Sequence, residues 1–179
     1  MLIGGVPSPL FYVSPSQINV QIPFELDASG QYQVVVNANG ALTPPQQVQL
    51  TQANPGLDTF PDGSLVAVHA SDGTLISATS PAQRGEYVVL FALGLGATDN
   101  PVATGDGSSG TVLSRVTVQP TITMNSNPVP ISFAGLTPGF VGLYQVNLQI
   151  PDNQPGGNVV VGVSQGDTAG NSGILPIAY

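Results

Sequence analysis

A chain of 179 residues with 41% hydrophobic content can bury a core, as one domain or two small ones. Only 7% of residues are charged, and Arg84 and Arg115 face ten acidic side chains for a formal net charge of −8. No basic patch is available for a nucleic-acid backbone or for anionic lipid. The absence of cysteine excludes disulfides and thiolate metal sites. No run reaches the roughly 18 apolar residues of a membrane helix, so membrane insertion is not expected.

Met1-Leu2-Ile3-Gly4-Gly5 has neither the basic region nor the length of a signal peptide. An exported form would have a signal that has been removed or lies elsewhere. Residues 6–13 predict an edge strand carrying Pro7 and Pro9. Residues 17–23 predict the next strand, followed by 31–36 and 45–50, with Asn39-Gly40 as the turn between them. Asn54-Pro55-Gly56 marks a boundary. Beyond it, 65–70 and 74–78 flank the hairpin signal Asp72-Gly73. Residues 86–95 are apolar on both faces and predict a central buried strand. Residues 97–110 read as a polar loop. Strands are expected at 112–118, 121–124, 129–133, 145–150, 158–163 and 174–179, with a turn at Pro138-Gly139. Helical periodicity is missing throughout, and Gly (22) and Pro (17) punctuate short apolar runs. The expected fold is all-β, an Ig-like antiparallel β-sandwich.

One phrase occurs twice. Gln17-Ile18-Asn19-Val20-Gln21-Ile22-Pro23 returns 128 residues later as Gln145-Val146-Asn147-Leu148-Gln149-Ile150-Pro151. Strict alternation puts the aliphatics on one strand face and the amides on the other. A shared amphipathic pattern alone would not fix Gln, Asn, Gln and Pro together, so the phrase reads as an internal repeat. Each copy follows a Pro-flanked aromatic stretch, 9–12 or 130–133, and precedes a valine triplet, 34–36 or 159–161. The second copy has the apolar strand 86–95 upstream, and the first has no counterpart. The expected organisation is therefore an incomplete Ig-like unit over 1–55 and a complete sandwich over 56–179. An incomplete unit leaves an open strand edge. It can be covered by docking on the larger unit, by a strand from another copy, or by sequence outside this chain.

Residues 14–23, Arg84-Gly85-Glu86-Tyr87-Val88-Val89-Leu90, Gly94-Leu95-Gly96, Phe133-Ala134-Gly135-Leu136 and 142–147 together resemble the uncharacterised C-terminal domain family abundant in Solibacter and related acidobacteria. The motifs occur in that family's order over most of the chain. The resemblance implies a β-rich module of large, secreted proteins, and brings no activity, cofactor or catalytic residue.

Sites for chemistry are sparse. His69 is the only histidine and shares a strand face with Leu65 and Ala67, which suits a structural or rim role. Any Ser-His-Asp relay would have to use it. Gly107-Ser108-Ser109-Gly110 lacks nucleophile-elbow spacing and reads as a flexible loop. Glu25 and Glu86 are the only glutamates, and Glu86 beside Arg84 reads as a surface pair. Asp99, Asn100 and Asp106 share a loop that could offer oxygen ligands to calcium but lack the EF-hand pattern. Gly94-Leu95-Gly96 carries no dinucleotide fingerprint. No catalytic residue, metal or cofactor is expected. The strands put forward for assembly are Gln17, Ile18, Asn19, Val20, Gln21 and Ile22, with Gln145, Val146, Asn147, Leu148, Gln149 and Ile150. The expected function is a non-enzymatic extracellular or cell-surface structural protein. It would self-assemble into a filament or surface layer by strand completion between subunits. The alternative is an adhesion or polysaccharide-binding module of a larger secreted protein.

Overall fold

A computed structural model describes residues 1–179 as an all-β chain of seventeen strands without a helix. In order these are β1 (Leu2–Ile3), β2 (Val6–Pro7), β3 (Leu10–Val13), β4 (Ile18–Val20), β5 (Gln31–Val35), β6 (Asn37–Ala38), β7 (Ala41–Leu42) and β8 (Gln46–Gln49). They continue with β9 (Gly56–Leu57), β10 (Ala67–His69), β11 (Tyr87–Leu93), β12 (Thr121–Met124), β13 (Asn127–Val129), β14 (Ile131–Leu136), β15 (Tyr144–Gln149), β16 (Gly157–Gln165) and β17 (Thr168–Ile177).

The larger part of the chain is two antiparallel sheets. One runs β10-β11-β15-β14, with β9 also on β11, and the other runs β13-β12-β16-β17. A single core cluster of 24 buried residues draws on both, so the sheets pack face to face. Val88, Leu90, Val146, Leu148 and Ile150 fill it from one side, and Ile122, Val159, Val161 and Leu175 from the other. The first 55 residues form a four-stranded sheet, β2-β1-β5-β8, and the separate pair β3-β4. Asn39 (φ 53°) and Gly40 (φ 88°) make the turn between β6 and β7, because a tight hairpin loop needs positive φ at both positions.

The two parts share their wiring. In β2-β1-β5-β8, as in β13-β12-β16-β17, an early hairpin lends its first strand to the first strand of a later hairpin. Leu10 faces Val20 and Tyr12 faces Asn19, with a bulge between them. Ile131 faces Leu148 and Phe133 faces Asn147, again with a bulge between them.

Several expected strands take other forms. The stretch 6–13 splits at Ser8-Pro9 into β2 and β3, and 129–133 splits at Pro130, since proline cannot donate to a ladder. Residues 74–78 and 112–118 hold only isolated bridges, such as Val68 with Leu75 and Arg115 with Gly135. The stretch 86–95 is central in its sheet, but only Val88, Leu90, Ala92 and Leu95 are buried, while Tyr87 and Leu93 are exposed. Its outer face has no second layer to cover it. β1, β6, β7 and β9 lie outside the expected strands; two-residue strands carry too little pattern to be read.

Candidate functional site

The two copies of the repeated phrase sit in different surroundings. In the second, Val146, Leu148 and Ile150 are fully buried. β14 pairs with one edge of β15 and β11 with the other, Val146 opposite Leu90 and Leu148 opposite Val88. Beyond the strand end, Ile150 N–H donates to the Glu86 carbonyl at 2.8 Å, and its own carbonyl accepts from Gly85 N–H at 2.8 Å. Gln149 Nε2 adds a bond to the Gly85 carbonyl at 2.7 Å.

In the first copy, β4 pairs with β3 and with nothing else. Gln21 N–H donates to the Pro9 carbonyl and Ser14 N–H to the Gln17 carbonyl, so the odd-numbered residues address β3. By strand alternation Ile18, Val20 and Ile22 point their backbone groups the other way, along an empty edge. Neither the N–H nor the carbonyl of Ile22 has a backbone partner, and its side chain is 48% exposed. Ile18 and Val20 are half-buried, and Leu10, Phe11, Tyr12 and Val13 on the neighbouring strand are all exposed. Apart from Pro23 and Pro55, Ile3 is the only aliphatic or aromatic side chain buried in the first 55 residues. Of the assembly residues named from sequence, the second six thus lie within a finished sheet, and the first six carry the open edge.

The first 55 residues also dock on the rest of the chain, through the loop 97–110. Gln21 Oε1 accepts from Gly105 N–H at 2.8 Å, Phe24 N–H donates to Thr104 Oγ1 at 2.8 Å, and Thr104 Oγ1 donates to Glu25 Oε2 at 2.6 Å. These bonds hold the Glu25 carboxyl below its usual pKa range, the Thr104 hydroxyl contributing most. Gln21 is 5% exposed, and its Nε2 has no partner. Docking therefore secures the end of β4 and leaves its length uncovered. Gly94 and Gly96, with φ of 70° and 79°, end β11 where the connecting segment crosses it. A Cβ at either would overlap the carbonyl oxygen of Asn54 or Gln52. That close approach accounts for the Gly-Leu-Gly motif. A crevice of about 550 Å³ opens beside it, lined by Gln52, Ala53, Ala97 and Gln165, and Gln165 Oε1 is buried there without a partner.

His69 has the partners of a relay. Its Nδ1 lies 2.9 Å from Glu86 Oε1, and its Nε2 lies 3.2 Å from both the hydroxyl and the carbonyl oxygen of Ser80. Glu86 therefore pairs with His69, not with Arg84, whose Nε donates to the Gln154 carbonyl at 2.7 Å. The expected surface pair rests on nearness in sequence, whereas the positive-φ turn at Gly85 (φ 77°), just before β11, sends residues 84 and 86 to different neighbours. Nε2 meets the Ser80 carbonyl as closely as its hydroxyl, and the Ser80 N–H is spent on Ser77. No oxyanion donor is thereby offered at Ser80. The cluster ties the 77–80 turn to β10 and the start of β11.

Ser108, expected in a flexible loop, is buried and donates to the Thr137 carbonyl at 2.7 Å. Asp99 Oδ1 accepts from Arg115 N–H and from Asn100, which makes it a turn-capping group. No three His, Asp or Glu side chains converge in a way that could hold a metal ion, at Asp99 and Asp106 or elsewhere. No protein-family model, curated protein or solved structure matches the chain.

Proposed function

We propose that this is a non-enzymatic, extracellular structural protein whose subunits join by strand completion at the open edge of β4, building a filament or surface layer. The observation that carries this reading is the contrast at one phrase: Ile22 is 48% exposed with idle backbone groups, while Ile150 in the same position is buried and paired on both. The wiring of the two parts matches down to the bulges, which supports an internal repeat whose first copy lacks the β11 position. Export is the part of the reading carried by the family resemblance.

An unpaired edge with apolar side chains is a site for association, because backbone groups and aliphatic area are both released from water when a strand is added. Natural edges that stay single carry charge or proline, and Gln17 to Ile22 carry neither. Light scattering on the purified chain tests the reading. Association at micromolar concentration, abolished by Val20→Pro, is expected, and a monomer at all concentrations refutes it. Phe11 and Tyr12, 56% and 52% exposed side by side, favour a second reading as a polysaccharide-binding surface. Retention on a glycan array that Phe11→Ala removes would support it.

A further inference from the structure

We infer that the vacancy beside β4 is a groove for a bare extended polypeptide segment, antiparallel to Ile18–Val20, with apolar side chains opposite Ile18 and Val20. This rests on the reading of β4 as a joint and specifies what fills it.

The chain contains its own template. β15 repeats β4 in sequence, in pairing to its neighbour and in the place of the bulge, and the strand on its far edge is β11. Carried across, the incoming segment sets a Leu90-like residue opposite Ile18 and a Val88-like residue opposite Val20. A backbone turn like that of Gly85 and Glu86 then meets the idle N–H and carbonyl of Ile22. The opposed side chains share a face, so the apolar ones lie beside Ile18 and Val20.

The shape of that space decides between a bare strand and the edge of a folded copy. The sheet β2-β1-β5-β8 is four strands wide and β3-β4 is a pair, so a stack of the two like that of the larger sheets would leave about 10 Å of the wider one without an opposing strand. β2 leads straight into β3, which puts β2 on that side. In that stacking the overhang is β5 and β8, just as β17 leans on the β10 side through its bridges to Ser64 and Ala82. Val34 of β5 and Val48 of β8 are half-buried, whereas Val159, Val161 and Val163 of β16 are buried. A second copy pairing through its own β4 would bring its four-stranded sheet to the same side and collide with this one. A bare segment brings no second layer. The first 24 residues also carry no charged side chain in a chain of net charge −8. Selection therefore rests on the alternating apolar pattern, not on charge.

The probe is a labelled synthetic peptide with the sequence of residues 84–93, titrated into the whole protein. Saturable one-to-one binding is expected. Even-numbered residues of β11 address β15, as the Glu86 carbonyl does, while Phe91 N–H and the Tyr87 carbonyl address the opposite side. N-methylation at the peptide's Val88 and Leu90 positions should therefore weaken binding at least about tenfold by removing two ladder bonds. N-methylation at Val89 should change it by less than about threefold, since that amide faces away. Val20→Pro in the protein should remove binding, and the peptide variants keep the test valid if that protein misfolds. No binding, or equal loss from both methylations, overturns the proposal. So does a chain that dimerises through β4 alone and is not dissociated by the peptide. A chain that stays monomeric yet binds the peptide refutes self-assembly and leaves this groove standing.

Discussion

Ile22 and Ile150 occupy the same place in the same seven-residue phrase, yet one is 48% exposed and the other 0%. Local sequence, the partner strand and the bulge are alike in the two copies. What differs is the presence of β11. A strand so amphipathic is half of a structure: its pattern states that one face must be buried, and its backbone that two edges must be paired. In the second copy the face is buried and the second edge is paired by residues about sixty positions upstream; in the first only one edge is paired. The contrast shows that the stability of a strand belongs to its neighbours more than to its own letters.

Hydrogen exchange should separate the copies most widely. The amide of Ile150 is expected to exchange only on global opening, and that of Ile22 at least about a thousandfold faster, as a group with no partner. Similar protection would mean that the β4 edge is already covered. Next in size is core truncation. Leu148→Ala removes a fully buried side chain and should cost about 2–5 kcal/mol, while Val20→Ala at the matching position should cost under about 1 kcal/mol. Equal losses in denaturant melts would show that the first copy has a finished core.

Two predictions concern the finished part alone. Tyr144 is buried and donates its hydroxyl to the Gly96 carbonyl, and burial pushes its pKa up to about 12. A raised folded-state value makes its contribution complete below pH 10 and lost as pH climbs from about 10 to 12, worth about 2–3 kcal/mol. Tyr144→Phe should flatten the alkaline limb of a melting curve. His69→Gln should cost about 1–3 kcal/mol by leaving Glu86 and Ser80 without their partner. A loss under about 0.5 kcal/mol would show the cluster to be a surface contact.

The smallest effect is acid-dependent and spans both parts. Glu25, Asp27, Asp62 and Asp72 are all held below their usual pKa by hydrogen bonds from Thr104, Ser29, Ser64 and Thr74. Lowered folded-state values give stability that is present above about pH 4 and lost as pH falls through the folded values. Melting temperature should therefore decline below about pH 4, and Glu25→Gln should remove a part of that decline specific to the docked first part. An unchanged acid limb in that variant would mean the Thr104 contact does not hold in solution.

The sequence determined the all-β class, because alternating short runs cut by Gly and Pro suit strands and no stretch keeps a 3.6-residue period. It also determined the Asn39-Gly40 turn and the repeated phrase, since both depend on residues adjacent in the chain. Tertiary structure alone decided which copy of the phrase was paired on both edges. It alone brought Glu86 to His69 and anchored Ser108 to Thr137. It also left 74–78 and 112–118 without ladders despite their apolar residues. Each of these depends on what lies across the fold: periodicity reports which face a strand wants to bury, and only packing reports whether anything is there to bury it against.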